Sequence, residues 1–532
     1  MTMTETRPEH AAPAAAPATT RPEPSGLAGW IMTGDYRRVG RLYVGFSLVF
    51  AVALLAVGAV LGFEKIDSSG TQLIDGDAVG QLFSLYRWGL ALGVAAPLLL
   101  GLAVAIVPMQ VGARSIAFPR AAALSLWAWV LGVGVMVGAF ADNGGPGGGN
   151  SEAVDLFIAA LVLVVAALCV GALCVATTVL TLRAPGMTLQ RIPMAAWSGF
   201  AGSAVVLVSL PVLVGLSILL YADHRYGRVL FGGNLQLGEW IDWALNPTQL
   251  YLYAVPALGM LADVTTTASR SRQPLRGVLT GFVGIAAIFA FGASMQLAFS
   301  PELRGDFFYI AVTLGSALAV LAVLVVSVGS LAARKPRITA ATVFVVLGSF
   351  MLFVGQAAGA MTGYERLELV GPTYGSDTAW SLGVFNYVLL GAVLLGMGAL
   401  CHWGPKLWGR RLPEGAAIGL AVIGFLAVVL VAFPDLVAGL LDQPAYAVDF
   451  DVDGPTELLN ALSAAGYVLM AVVVVAFGLL MVRGFSRGVP AGDDPWDGQT
   501  LEWATSSPPP PGTFDDLPVV TSPEPLFDRK EA

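Results

Sequence analysis

Residues 379–402, AWSLGVFNYVLLGAVLLGMGALCH, decide the fold of this protein. The run contains no Asp, Glu, Lys or Arg. At about 1.5 Å per residue, a helix of this length crosses a hydrocarbon core of about 30 Å. Because lipid offers no hydrogen-bond partners, backbone groups in such a run must bond within the segment. The run therefore predicts a transmembrane helix.

Composition extends this prediction to the whole chain. Of 532 residues, 56% are hydrophobic and 12% are charged, whereas an average soluble domain has about 25% charged residues. We therefore predict an all-α membrane protein, a bundle of twelve transmembrane helices. The predicted spans lie near 43–63, 88–110, 118–140, 154–182, 194–221, 249–268, 275–299, 308–333, 338–361, 379–402, 415–441 and 459–482.

The distribution of basic residues predicts the orientation, because Lys and Arg are retained in the cytoplasm during insertion. Of 28 basic residues, six fall on one side of the predicted bundle: Lys65, Arg87, Arg225, Arg228, Arg304 and Arg366. The others lie on the side of the termini, so both termini are predicted to be cytoplasmic. We expect a disordered N-terminal tail at 1–28, a membrane domain at 29–483 and a Pro-rich cytoplasmic C-terminal tail at 484–532.

Four stretches on the predicted cytoplasmic side carry a resemblance to a known family. They are DYRRVGRLY (Asp35–Tyr43), VPMQVGARSIAFPR (Val107–Arg120), RAPGMTLQRIP (Arg183–Pro193) and DPWDGQTLEWATSSPPPP (Asp494–Pro511). Together they resemble subunit I of cytochrome c oxidase, in the haem-copper oxidase superfamily, and the tail is similar to bacterial, notably actinobacterial, members. The resemblance implies a multi-pass protein of the bacterial plasma membrane. It also implies two haems and copper, oxygen reduction and proton pumping.

The histidines depart from this resemblance. The family supplies six imidazole ligands from the bundle interior, whereas the sequence has three histidines in all, His10, His224 and His402. His10 lies in the N-terminal tail, and the other two lie at segment ends. Three scattered histidines cannot supply a six-ligand set for iron and copper.

Alignment to the resemblance indicates what replaces the haem ligands. In DTAWSLGVFNYVLLG (Asp377–Gly391), Val384 falls at the high-spin haem ligand and Asn386 at one low-spin ligand. Tyr86 falls at the second low-spin ligand. Valine has no lone pair to give, and the bis-imidazole pair is replaced by a phenol and an amide.

The copper positions are replaced as well. In LNPTQLYLYAVP, Asn246 or Pro247 stands at the first copper ligand, depending on register. The other two fall within GASMQ (Gly292–Gln296), where Met295 offers the one soft donor, although methionine is more often a gap-filler in a core. We therefore predict no catalytic residue, no metal site and no cofactor.

Two carboxylates stand apart from the family ligands. Asp263 lies at the predicted inner end of the sixth segment, and Asp435 lies near the outer end of the eleventh. We interpret Asp263 as a solvated helix end and Asp435 as an interfacial charge. A proton site is the alternative for each, because ionisable groups inside a membrane are costly and tend to be functional.

Three functions follow from these observations. The first is a non-catalytic pseudo-oxidase, a pseudoenzyme with a structural, assembly or regulatory role near the respiratory chain. The second is an active terminal oxidase with unusual ligands, and the third is binding or transport of a lipid, quinone or small solute in the vacated cofactor cavity. We expect the lipid bilayer and other oxidase or respiratory subunits as partners, and no nucleic acid.

Overall fold

The protein is described here from a computed structural model that covers residues 26–66, 74–228, 230–246, 250–299, 307–332, 335–365, 378–446, 454–510, 513–514 and 520–531. Residues 1–33 form one unit, which includes helix α1 (Leu27–Ile31), and residues 34–532 form a second unit.

Long helices make up the second unit. They are α2 (Tyr36–Glu64), α3 (Gly76–Trp88), α4 (Ala96–Gln110), α5 (Pro119–Ala141), α6 (Ser151–Thr181), α7 (Met194–Arg225), α9 (Val255–Ser269), α10 (Arg276–Phe299), α11 (Phe307–Ala332), α12 (Ala340–Glu365), α13 (Ala379–Trp408), α14 (Glu414–Gly439) and α15 (Pro455–Arg487). Short helices α8 (Leu237–Ile241) and α16 (Pro525–Glu531) lie outside the bundle. Strands β1 (Arg410–Arg411) and β2 (Val489–Pro490) pair antiparallel.

Ten helical spans in the described part of the chain are long and apolar enough to cross a membrane. They coincide with ten of the twelve predicted segments. The other two segments contain α9 and α10, so the count of twelve remains a prediction. Helix α13 contains the apolar run of residues 379–402, and its most apolar stretch of 18 residues is completely buried. Helices α12 and α14 pack directly against it.

Local signals account for several helix starts. The Asp35 side chain accepts a hydrogen bond from Arg37 N at 3.0 Å and so caps α2. Asn150 accepts from Glu152 N and Ala153 N and caps α6. Such caps satisfy backbone donors that a helix leaves free at its first turn.

The second span is interrupted in its hydrogen-bond pattern. A π-helical stretch, Gly89–Ala95, joins α3 to α4 within one continuous span, Ala78–Gln110. Such stretches are rare and frequently accompany functional sites. This one begins three residues after Tyr86.

The segment 488–510, here named the tail segment, folds back across one end of the bundle. It includes β2 and a short 3-10 helix, Leu501–Ala504. We name this end of the bundle the tail side, and the opposite end the far side. The C-terminal ends of α4, α9 and α13 lie at the tail side, because residues there bond to the tail segment or to its direct partners.

Candidate functional site

A hydrogen-bonded network joins three helices in the far-side half of the bundle. Tyr86 OH, from α3, donates to Asn386 Oδ1, in α13, at 2.7 Å. Asn386 Nδ2 in turn donates to Tyr467 OH, in α15, at 2.8 Å. We name these three residues the tyrosine–asparagine network. All three are buried, and the exposure of Asn386 is 0%.

Close packing holds the network in place. The rings of Tyr86 and Tyr467 meet edge to face, with centroids 5.5 Å apart. A Cβ atom added to Gly58, in α2, would lie 2.7 Å from Tyr467 Cδ1 and 3.2 Å from Tyr86 Cε2. Glycine at position 58 therefore allows the two rings to pack against the backbone of α2. Val384 is fully buried one helical half-turn before Asn386.

Asp435 lies close to this network and is buried. Its side chain is 2% exposed, and its Oδ1 atom lies 3.9 Å from Lys65 Nζ at the end of α2. Nearby, Asn460 Nδ2 donates to Lys65 O at 2.7 Å, and Gln443 Nε2 donates to Asn460 Oδ1 at 2.9 Å. Neighbouring helices therefore cover Asp435, and its interpretation as an interfacial charge stays a prediction.

The positions predicted for copper ligands are only partly described. Asn246 is half-buried and follows the 3-10 helix Asp242–Leu245. Pro247 lies outside the described residues. Met295 lies in α10, but its side chain lies outside the described part of the structure. The assignment of Asn246, Pro247 and Met295 to the copper positions therefore stays a prediction.

A cavity lies between α9, α10, α11 and α12. Its volume of about 10 Å³ is close to the minimum that holds one water molecule. Its lining is apolar except for Gln356, and includes Ala254, Val255, Leu258, Ala286, Val320 and Leu352. This cavity is too small for a lipid or a quinone.

The two described histidines lie at opposite ends of the bundle. His224 Nδ1, at the far side, is 2.8 Å from Asp155 Oδ1. His402, at the tail side, is enclosed by the rings of Trp403, Trp496 and Trp503. His10 lies outside the described residues. In the described ranges, no three or more His, Cys, Asp or Glu side chains converge as a metal site would require.

A second buried network lies at the tail side. Gln110 Nε2, at the end of α4, donates to Asp263 Oδ2 and to Glu502 Oε1, each at 3.1 Å. Trp403 Nε1 also donates to Glu502 Oε1, at 3.1 Å. We name Gln110, Asp263, Glu502 and Trp403 the carboxyl–amide network. The exposure of Gln110 and of Glu502 is 0%.

Asp263 is the helix cap of α7 and not a solvated end. Its Oδ1 accepts from Met194 N at 3.0 Å, and its Oδ2 accepts from Ala195 N at 2.9 Å. These are backbone donors of the first turn, which a carboxylate stabilises through hydrogen bonds and the helix dipole. Our interpretation of Asp263 as solvated is therefore wrong, since the residue is only 7% exposed.

Lys406 anchors the tail segment to α13. Its Nζ atom donates to Asp493 O at 2.9 Å, to Thr505 O at 2.6 Å and to Ser506 O at 3.3 Å. The side chain is completely buried. Trp496 Nε1 donates to His402 O at 2.8 Å and provides a further attachment.

With this geometry established, comparison with known proteins identifies the family. Residues 38–484 match the family Cytochrome C and Quinol oxidase polypeptide I. The chain belongs to this family. The resemblance drawn from the four sequence stretches is thereby confirmed, and so is the prediction of an all-α membrane protein of the oxidase subunit I type.

Relatives of this oxidase subunit I-like protein come from bacteria and archaea. It is 27% identical to the cytochrome c oxidase subunit 1 of Bacillus subtilis, over 96% of this chain and 84% of the relative. It is 30% identical to the heme-copper oxidase subunit I+III of Aeropyrum pernix, over 92% of this chain and 62% of the relative. A solved heme-copper terminal oxidase dimer has the same fold, with a TM-score of 0.63, 14% identity, and coverage of 93% of this chain and 89% of that chain.

The comparisons correct one prediction. We predicted no cofactor, but this prediction is wrong for a chain of this family, because its relatives are cytochrome c oxidase subunits that carry haem and copper. The described side chains at the positions predicted for the haem ligands do not fit the histidine ligand set. Tyr86 and Asn386 bond to each other, and Val384 offers no donor atom.

Sequence reasoning singled out Tyr86, Asn386 and Asp263 but predicted neither network. Tyr86 and Asn386 were singled out because the alignment places each at a predicted haem-ligand position. Tyr467 was missed, because no family position pointed to it. Gln110 and Glu502 lie within two of the quoted family stretches, VPMQVGAR and GQTLEW, so those stretches held the available signal.

Proposed function

We propose that this oxidase subunit I-like protein has a structural or assembly role beside other respiratory subunits and does not itself turn over oxygen. The proposal concerns turnover and does not require that haem or copper be absent. Its partners would be other oxidase subunits within the bacterial plasma membrane, and both termini would face the cytoplasm.

One observation carries this proposal. The side chains at the two predicted low-spin ligand positions already have hydrogen-bond partners inside the protein. Tyr86 OH donates to Asn386 Oδ1 at 2.7 Å, and Asn386 Nδ2 donates to Tyr467 OH at 2.8 Å. Recruiting Tyr86 or Asn386 as a ligand would break these bonds and leave a buried partner unsatisfied. Each such group costs about 1 to 3 kcal/mol.

Contacts between helices support a structural role. The cavity between α9 and α12 holds about one water molecule, so this cavity does not bind a lipid or a quinone. The network also joins α3, α13 and α15, and the tail segment bonds to several loops. These contacts favour a rigid scaffold.

Oxygen uptake tests the proposal. The full chain would be purified in mild detergent with its co-purifying subunits, and oxygen uptake would be measured with reduced cytochrome c and with a quinol. The matched control is the Bacillus subtilis oxidase that contains the 27% identical subunit, prepared in the same way. We expect uptake in the control and none above background in this protein.

Haem and copper would be quantified on the same sample by visible spectrum and elemental analysis. Oxygen uptake per haem comparable to the control would overturn the proposal, and would favour the alternative of an active oxidase with unusual ligands. The 38–484 family match motivates that alternative. Absence of uptake together with stable co-purification of oxidase subunits would support the structural role.

A further inference from the structure

The carboxyl–amide network contains two buried carboxyl groups that share one amide. Gln110 Nε2 donates to Asp263 Oδ2 and to Glu502 Oε1. Two ionised carboxylates this close in a buried site repel each other, and burial alone penalises each charge. The environments of the two groups show which of them carries the charge.

Asp263 has the surroundings of a carboxylate. It accepts three N–H donors, from Met194 N, Ala195 N and Gln110 Nε2. The two backbone donors belong to the first turn of α7, where the helix dipole also favours a negative charge. Arg276, in α10, faces it as well.

Glu502 has different surroundings. The two side chains that donate to it, Gln110 through Nε2 and Trp403 through Nε1, reach the same atom, Oε1. Its Oε2 atom is buried and has no hydrogen-bond partner among the described residues, and the same holds for Gln110 Oε1. The two atoms without a partner, Glu502 Oε2 and Gln110 Oε1, would therefore both act as hydrogen-bond acceptors. A buried acceptor without a donor is costly.

We propose that Glu502 binds a proton when the tail segment docks, and that its Oε2–H donates to the amide oxygen of Gln110. The carboxylate of the undocked tail takes one proton from solvent at the tail side and becomes a neutral carboxylic acid. That single proton supplies the donor that both orphaned atoms lack. Docking of the tail segment is therefore linked to proton uptake. This inference is independent of the proposed function.

The other charges around Glu502 do not offset its preference for the protonated form. Lys406, in α13, is the cation that faces it, but the Lys406 ammonium is held by three tail carbonyls. Asp493 and Asp494 of the tail face Lys406 in turn. Within the described ranges, Glu502 makes no ion pair.

The direction of the pH effect follows from the same contacts. Burial, and then the charge of Asp263, raises the pKa of Glu502 above its ordinary value, although the Trp403 and Gln110 donors lower it in part. A raised pKa in the docked state means that docking is most favourable at acidic pH. Docking weakens as pH rises from the ordinary glutamate range through the raised pKa of the docked state.

Hydrogen exchange of the full chain in detergent tests the linkage. Protection of peptides from residues 493–506 would be measured from acidic to neutral pH and corrected for intrinsic exchange. In the wild type, we expect protection to fall by roughly tenfold for each unit by which docking raises the Glu502 pKa. In Glu502→Gln, whose amide can donate to Gln110 without titrating, protection should stay constant.

Glu457→Gln is the matched control, because it makes the same chemical change at an exposed carboxyl in the first turn of α15, away from the tail segment. It should follow the wild-type curve. Protection that is independent of pH in the wild type, or a Glu502→Gln curve parallel to it, would overturn the proposal.

Infrared difference spectroscopy gives a second readout that does not depend on how the variants fold. At pH values where the tail segment is docked, the wild type should show the C=O band of a protonated carboxyl group that Glu502→Gln lacks and Glu457→Gln keeps. A wild-type spectrum without that band would mean that Glu502 docks as a carboxylate with a bridging water. That result would also overturn the proposal.

Discussion

The two buried networks differ in the charge they carry and in the part of the chain that completes them. The tyrosine–asparagine network consists of neutral groups from three long helices, and each hydrogen bond is made within the bundle. The carboxyl–amide network contains two acidic groups, and it is complete only when Glu502 arrives from the tail segment. Neutral networks strengthen a bundle regardless of pH, whereas acidic ones connect its stability to proton concentration.

The largest effect should come from removing the tail anchor. Lys406→Met leaves the carbonyls of Asp493, Thr505 and Ser506 without their buried donor, at about 1 kcal/mol or more each. We expect a loss of about 3 kcal/mol or more in tail docking, measured by proteolysis of the tail and by thermal unfolding in detergent. Lys335→Met, at an exposed position, is the control and should behave as wild type. Equal behaviour of both variants would show that Lys406 does not anchor the tail.

A second substitution tests the neutral network. Asn386→Leu leaves the hydroxyls of Tyr86 and Tyr467 buried and unpaired, and should cost about 2 to 3 kcal/mol in free energy of unfolding. Thermal unfolding in detergent would measure the loss. A free energy of unfolding equal to that of the wild type would contradict the network.

The same network allows a double-mutant cycle. Once Tyr86→Phe has removed the donor, Asn386→Leu should cost less, with a coupling energy of about 1 kcal/mol. Additive losses in thermal unfolding would contradict the hydrogen bond between these two side chains.

The packing beneath the tyrosines can be tested with one methyl group. Gly58→Ala places a Cβ atom 2.7 Å from Tyr467 Cδ1, and overpacking of this kind costs about 1 to 3 kcal/mol. Gly45→Ala in the same helix meets nothing within 4 Å. It should stabilise the helix slightly, because alanine has the higher helix propensity. Similar melting temperatures for the two variants would argue against the close approach at Gly58.

The smallest effect should be the one that distinguishes the networks most directly. Trp403→Phe removes an N–H donor that lowers the pKa of Glu502. The pKa of docked Glu502 should therefore rise further, so the variant should match wild type at acidic pH and lose about 1 kcal/mol of docking at alkaline pH. Hydrogen exchange of the tail segment would measure this difference. A loss of equal size at both pH values would show that Glu502 does not titrate in this range.

Much of the fold could be predicted from the sequence, because hydrocarbon thickness sets the length of each helix, and ten of the twelve predicted segments have that length in the structure. The hydrogen bonds between Tyr86, Asn386 and Tyr467 could not be predicted, since they depend on how α15 packs against α3 and α13. Asp263 was interpreted as solvated because hydropathy locates a residue along a helix but does not say which neighbours cover it.

The position of Glu502 after α15 has a consequence for biosynthesis. A ribosome makes α4, α9 and α13 before it makes the tail segment, so Gln110, Asp263 and Lys406 are synthesised before their tail partners exist. A chain that stops after α15 would contain these helices and would leave Gln110 and Lys406 without their bonds to the tail. The carboxyl–amide network therefore forms only after synthesis has passed residue 502.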